Sequence, residues 1–229
     1  MASKALLGLQ AGLVEIQALQ KANPSPQQGG GLTKPDVVRA LGRSEVVLLS
    51  SHFERYVYAV TEEAVAILVA QGVAAGALSE QIRLQYSRAT IDDIAATHWE
   101  RRAEQLREYT ATGAALWDEL LPIGDLDPER LLTWMKSPKC KDLVRAFRLW
   151  GIEDIFNAIT RKSAIRQDLW LRLSELVDKR NGIAHGDLTV EARYLDIVQY
   201  KSAVRTFCTR ADHSMSKAVA RMAGGPPPW

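Results

Sequence analysis

Between residues 4 and 21, apolar side chains recur as Leu6, Leu9, Leu13, Ile16 and Leu19, in steps of three and four. Steps of three and four return to one face of an α-helix every turn, so the segment predicts an amphipathic helix. It runs into "NPSPQQGGG", residues 23–31, whose prolines and glycines predict a flexible linker. The helical period returns in Val46, Leu49, Phe53, Val57, Val60, Ala64 and Ile67, a buried stripe along a long helix ending at Gly72. Thr90 and Asp93 have capping-box spacing and predict a second helix running through "HWERRAEQLREY". "LPIGDLDPER" resets the chain, with Asp127 as N-cap and Pro128 at the first helical position; "SPKCKDLVRAFRLWG" repeats that grammar with Ser137 and Pro138. A short helix in "GIEDIFNAI" and a long one in "SAIRQDLWLRLSELVDKR" follow, and the last helix spans about Arg193 to Arg221.

No stretch of apolar–polar alternation marks a strand. The pattern predicts an all-α protein, an up-and-down antiparallel helical bundle with helical insertions and an extra N-terminal helix. The expected organisation is an N-terminal amphipathic helix over 1–22, a linker over 23–34, the helical domain over 35–221, and a disordered tail over 222–229.

At 229 residues the chain can bury a sizeable core. No segment approaches the ~18 uninterrupted apolar residues of a membrane span, so no membrane association is expected. The N-terminal apolar run is broken by Gln10 and Glu15 and has no cleavage-like end, which favours a helix over a signal peptide. Cys140 and Cys208 sit in no metal or redox spacing, and a reducing cytoplasm is the expected compartment. The net charge of +2 conceals an asymmetry: residues 1–129 hold 11 Lys/Arg against 17 Asp/Glu, and residues 130–229 hold 18 against 10. That makes the second half a candidate for polyanion binding, although two ordinary solvated surfaces would give the same count.

The sharpest chemical signal lies in "LSELVDKRNGIAHGDLTV", residues 173–190. The stripe Ile165, Leu169, Leu173, Leu176 continues four residues later with Arg180, which puts a guanidinium on the core-facing side. A cation there needs a carboxylate, a carbonyl, a dimer partner or an anionic ligand. Gly182 is expected to end the helix in a left-handed turn, with Ile183 and Ala184 anchoring the turn and His185 returning toward Arg180. Asn181 adds an amide between them. With 19 arginines and 4 histidines, roughly 0.3 such pairs arise by chance, so the spacing alone is a weak signal. Local chemistry leaves two readings open: an anion site, or a cap in which Arg180 serves helix-end carbonyls and His185 is a turn residue.

"KRNGIAHG" resembles the signature of HEPN domains, as an Arg-polar-x3-His version of their Arg-x4–6-His motif between the last two bundle helices. "LLSSHFERYVYAVTEE" is similar to the first helix of HEPN proteins of the RiboL-PSP type and its relatives, and "WMKSPKCKDLVRAFRLWG" to their central insertion. The resemblance covers roughly residues 44–215. It implies a dimerising helical bundle and a metal-independent endoribonuclease of toxin–antitoxin or antiviral-defence type. It makes Arg180 and His185 the catalytic pair and Asn181 the polar residue beside them. The alternative is a non-catalytic HEPN module that binds nucleic acid or a partner protein.

The residue types suit RNA cleavage by the adjacent 2′-hydroxyl. An arginine holds the phosphate and stabilises its added charge, and an imidazole moves the proton. No metal or cofactor is expected. Because one histidine per chain is short of a base and an acid, a homodimer with a composite active site is expected, with an antitoxin or defence protein as a further partner. Lys139, Lys141, Arg145 and Lys179 are the candidate RNA contacts, a solvated helix face being the alternative. Glu54 is a candidate to pair with Arg180 or His185 across the bundle, though a glutamate on a helix flank more often faces solvent. Trp134, Phe147 and Trp150 could stack bases, but core packing is the better expectation. His52, His98 and His213 are expected to be structural or exposed.

Overall fold

A computed structural model describes residues 1–22, 35–112 and 114–229. The described residues form nine α-helices: α1 (Lys4–Ala22), α2 (Pro35–Ala70), α3 (Glu80–Ala96), α4 (Trp99–Thr112), α5 (Glu129–Leu132), α6 (Cys140–Arg148), α7 (Ile155–Ile159), α8 (Ser163–Ala184) and α9 (Tyr194–Ala223). Short 3-10 turns occupy Ala75–Ala77 and Ala114–Trp117. No strand occurs among the described residues; Ala74 and Pro122 make one isolated bridge. The expected linker, residues 23–34, lies outside the described residues.

Helices α2, α8 and α9 pack pairwise and form the centre of an all-α bundle. Their inward stripes are those of the sequence: Val46, Leu49, Phe53, Val57 and Val60 on α2, and Leu169, Leu173 and Leu176 on α8, are all buried. Phe207 of α9 is the aromatic hub. Its ring lies 5.7 Å from Phe53 of α2, 6.1 Å from Phe147 of α6 and 5.3 Å from Phe156 of α7. Such pairs add about 0.5–1.5 kcal/mol each beyond their burial, and here they tie the insertion helices to the bundle. Phe147 and Trp150 are buried, whereas Trp134 is only half-buried.

The N-terminal helix belongs to the same body. It packs on α2 and α9, and the Glu63 carboxylate of α2 accepts the backbone N–H groups of Lys4 and Ala5 at 3.1 Å each. Those donors have no partner within α1 itself, so a carboxylate at the helix start both satisfies them and complements the dipole. At Gly12 an added Cβ would lie 2.5 Å from the His52 ring, so glycine lets the two helices approach.

The tail is also not the disordered segment that its composition predicts. Trp229 is buried, its indole N–H donates to the Asp212 carbonyl at 3.2 Å, and its carbonyl accepts the Ser216 hydroxyl at 2.7 Å. A large ring with satisfied polar ends outweighs the local Gly/Pro preference. Before it, Gly224 (φ 64°) closes α9 in the left-handed conformation.

Other boundaries differ from the sequence expectation for equally local reasons. The predicted helix start at Thr90 falls inside α3, whose N-cap is Ser79, with its hydroxyl accepting the Ile82 N–H. The Thr90 hydroxyl instead accepts from the Arg130 guanidinium at 3.4 Å. What reads as one helix is two, α3 and α4, separated at Thr97, where the hydroxyl donates to the Asp93 carbonyl. Ser137 does not cap α6; Lys139 occupies the N-cap without a side-chain bond. Asp127 does serve the start of α5, accepting the Glu129 N–H at 2.9 Å.

Candidate functional site

The motif occupies the last turn of α8 and the connection to α9. The Arg180 guanidinium donates to Asn181 Oδ1 at 3.2 Å and faces Glu54 Oε2 of α2 at 3.8 Å. Glu54 therefore pairs with Arg180 instead of facing solvent alone. Burial raises the Glu54 carboxyl above its ordinary value, and the attraction of Arg180 offsets this only in part. A contact of 3.8 Å at the limit of an ion pair fits that balance. Arg180 is about one-third exposed, and among the described residues no other group engages its N–H donors. It is a restrained cation with donors left for a ligand.

The expected turn at Gly182 does not form. Gly182 is helical, and α8 continues through Ala184, with the His185 N–H donating to the Asn181 carbonyl at 3.0 Å. The left-handed turn falls at Gly186 (φ 81°) instead. Gly182 has another use: a Cβ there would meet Val190 Cγ2 at 2.8 Å, so its absence lets the loop lie against the helix. This changes the geometry of the pair. Five residues of helix separate Arg180 from His185 by about 7.5 Å along the axis and about 140° around it. His185 therefore does not fold back toward Arg180. It stands exposed, and its ring has no hydrogen-bond partner among the described residues.

The loop that carries His185 is firmly held. Arg43 of α2 donates to the carbonyls of Asp187 and Val190 at 2.7 and 3.2 Å. Asp187 accepts from the Thr189 hydroxyl and N–H, and these bonds, with Arg43 nearby, hold its carboxyl below the usual range. At Gly42 a Cβ would lie 2.7 Å from the Ala192 carbonyl oxygen. Lys179 completes the clamp, donating to the Glu191 carbonyl at 2.7 Å and Asp196 Oδ2 at 2.9 Å. Burial alone would raise the Asp196 carboxyl, but the bonds from Lys179 and the Arg193 N–H bring it below its ordinary value. Lys179 is thus a loop anchor, unlike the free RNA contact expected of it.

Of the other candidate contacts, Lys139 and Lys141 are exposed at the start of α6 and pair with no carboxylate among the described residues. Arg145 lies with its guanidinium 3.9 Å from the centre of the Trp134 ring and donates to Gln85 Oε1 at 3.3 Å. This segment reaches the motif through α2: Tyr58, one turn beyond Glu54, donates its hydroxyl to the Met135 carbonyl at 2.7 Å. Cys140 is buried against Ser174 and Trp170 of α8, and burial pushes its thiol up to about 11, so it stays protonated at neutral pH. Among the described residues, no three His, Cys, Asp or Glu side chains are grouped so that they could hold a metal ion. No described helix is long and apolar enough to cross a membrane.

Arg43, Gly42 and the Lys179–Asp196 pair were not recognisable as parts of this site. Arg43 is 144 residues from Asp187 in sequence, and nothing local marks it. Neither the curated proteins nor the solved structures contain a significant match to the chain. The family model described as RiboL-PSP-HEPN, by contrast, matches residues 12–217, from within α1 to near the end of α9, and takes in the motif and its clamp. On that match, the chain belongs to the RiboL-PSP-HEPN family of HEPN domains.

Proposed function

We propose that the protein is an endoribonuclease that needs no metal and cleaves RNA by attack of a 2′-hydroxyl on the adjacent phosphate. The observation that carries this reading is the last turn of α8. It presents a positioned guanidinium having free donors, and just beyond it an exposed imidazole having no partner among the described residues. Arg180 would bind the phosphate and stabilise the charge that grows on its oxygens. His185 would take the 2′-hydroxyl proton or protonate the leaving 5′-oxygen. Asn181 would hold Arg180 in place through its Oδ1, and Glu54 would do so from α2. Lys139, Lys141 and Arg145 would supply positive surface for the flanking strand.

The separation of Arg180 and His185 around the helix favours a site completed by a second copy of the chain. Exposed apolar residues surround the motif: Leu188 in the loop, Leu195 and Val198 at the start of α9, and Val47 on α2. A two-fold contact there would set two arginines and two imidazoles about one phosphate. A toxin or defence effector is the biological role that fits such an activity.

The test is cleavage of labelled RNA by purified protein, with and without EDTA. The expected products carry a 2′,3′-cyclic phosphate and a 5′-hydroxyl, and DNA and 2′-O-methyl RNA resist. Products bearing a 5′-phosphate and dependent on Mg²⁺ would rule out this mechanism. RNA binding without any cleavage would favour a non-catalytic HEPN module.

A further inference from the structure

A groove of about 460 Å³ runs between α3 and α6, apart from the motif turn. Its charged walls are Arg88 and Asp92 of α3 and Arg145 and Arg148 of α6, three cations to one carboxylate, and its apolar surface includes the exposed Leu84 and Ile91. The three cations are not equivalent. Arg88 pairs with Asp92 at 3.4 Å and Arg148 with Glu153 at 3.6 Å, both as exposed contacts, and Arg148 also donates to the Glu153 carbonyl at 3.2 and 3.3 Å, which leaves its remaining donors to solvent. Exposed pairs of this kind contribute little and exchange readily for a phosphate. Arg145 pairs with no carboxylate among the described residues. Its guanidinium lies over the Trp134 ring, 3.9 Å from the ring centre, and donates to Gln85 Oε1 at 3.3 Å. An exposed guanidinium restrained in this way, over an aromatic ring, can serve as a platform for a planar base.

Stacking on arginine planes and aromatic rings, flanked by cations for the backbone, is how single-stranded nucleic acid is held without reading its sequence. The platform is also joined to the motif. Trp134 adjoins Met135, whose carbonyl is bound by Tyr58, and Tyr58 lies about 6 Å along α2 from Glu54, the partner of Arg180. We propose that this groove is the track for the single-stranded RNA leading away from the scissile phosphate. One base stacks on the Trp134–Arg145 platform, and the following phosphates lie between Arg88 and Arg148. This assignment rests on RNA being the ligand of the motif, and it names the strand form and the surface that holds it.

Fluorescence anisotropy with the full-length protein tests it, using a long single-stranded 2′-O-methyl RNA and a 2′-O-methyl dinucleotide as uncleavable probes. Arg145→Ala is expected to weaken the long strand about tenfold, and to reduce the slope of log affinity against log salt by about 0.7. The dinucleotide, too short to reach the groove, should lose far less. Arg145→Lys keeps the charge but not the plane, so it should retain the slope and still lose affinity severalfold. Lys217→Ala, an exposed cation of α9, is the control and should bind as wild type does.

Wild-type affinity for the long strand in Arg145→Ala and in Arg88→Ala/Arg148→Ala would overturn the proposal. Equal losses for both probes would overturn it too, because the effect would then come from the motif or the fold. Failure of the nuclease reading looks different: a protein that binds the long strand through Arg145 yet cleaves no RNA keeps the groove and loses the catalytic assignment.

Discussion

Five N–H donors sit on the Arg180 guanidinium, and the contacts to Asn181 and Glu54 leave several of them for a ligand. In the proposed reaction Arg180→Ala and His185→Ala should each lower turnover by at least about a hundredfold. Circular dichroism should remain helical, since neither side chain is buried in the core. Wild-type turnover in both variants would remove the catalytic assignment, and loss of activity together with helicity would assign the motif to capping. Glu54 makes a finer distinction. Its folded value lies above the ordinary 4.5, so the folded protein holds that proton more tightly than the unfolded chain does. Stability therefore declines as pH rises through the interval between the two values, and Glu54→Gln should abolish that decline. At neutral pH the melting temperature of this variant should equal or exceed that of wild type. Its kcat should fall about tenfold without a rise in KM, because the guanidinium loses its anchor but keeps its charge. A higher KM at constant kcat would contradict the positioning role. The sequence showed that Arg180 needed a partner. It did not show which one, because the choice between Glu54 and solvent depends on how α2 and α8 face each other.

Between α8 and α9 the left-handed turn expected at Gly182 falls four residues later, at Gly186. A helix stop at Gly182 is reasonable from composition, but α8 gains further helical bonds by continuing to Ala184, and Gly186 then takes the left-handed position. The stripes of α1, α2 and α8 could be read from sequence because a helical period is local. The clamp could not, because Arg43, Gly42 and Val190 meet only in the folded chain. Gly182→Ala isolates the consequence. Alanine favours the helix by up to about 1 kcal/mol, yet its Cβ would press on Val190 Cγ2 at 2.8 Å. Stability should change little while RNA cleavage falls, as the loop bearing His185 is displaced. Adding Val190→Ala should restore activity. If the single variant is as active as wild type, close contact between loop and helix is not needed. Acid provides a second probe, because the Asp196 carboxyl is held below its ordinary value. Its contribution is complete above the unfolded carboxylate range and is lost as pH falls through the folded value. Hydrogen exchange in the first turn of α9 should accelerate over that interval, and Lys179→Met should bring the faster exchange up to neutral pH.

Both ends of the chain converge on Asp212 of α9. The Ser3 hydroxyl and N–H donate to its carboxylate, and the Trp229 indole donates to its carbonyl. Trp229→Ala should therefore cost about 3 kcal/mol, measured by denaturant unfolding; a change within experimental error would show that the ring adds nothing to the core. The bundle so closed leaves its apolar residues around the motif uncovered, and this bears on how the site is completed. Proton removal from a 2′-hydroxyl and proton delivery to a leaving oxygen call for two groups, and each chain presents one histidine at the motif. Within one chain that histidine is turned about 140° from the arginine around α8. A two-fold pairing through Leu188, Leu195 and Val198 would bring two motif turns face to face and supply the second imidazole. The expected consequence is dominance. When His185→Ala protein is mixed with a fixed amount of wild type under conditions of subunit exchange, heterodimers should be crippled. With RNA saturating, activity should then fall well below that of the wild type alone. Replacing Leu195 with Glu should give monomers by light scattering and lose cleavage in parallel. Unchanged activity despite demonstrated heterodimers, or a monomer with full activity, would mean that each chain carries a complete site and that a second group must be sought within reach of His185.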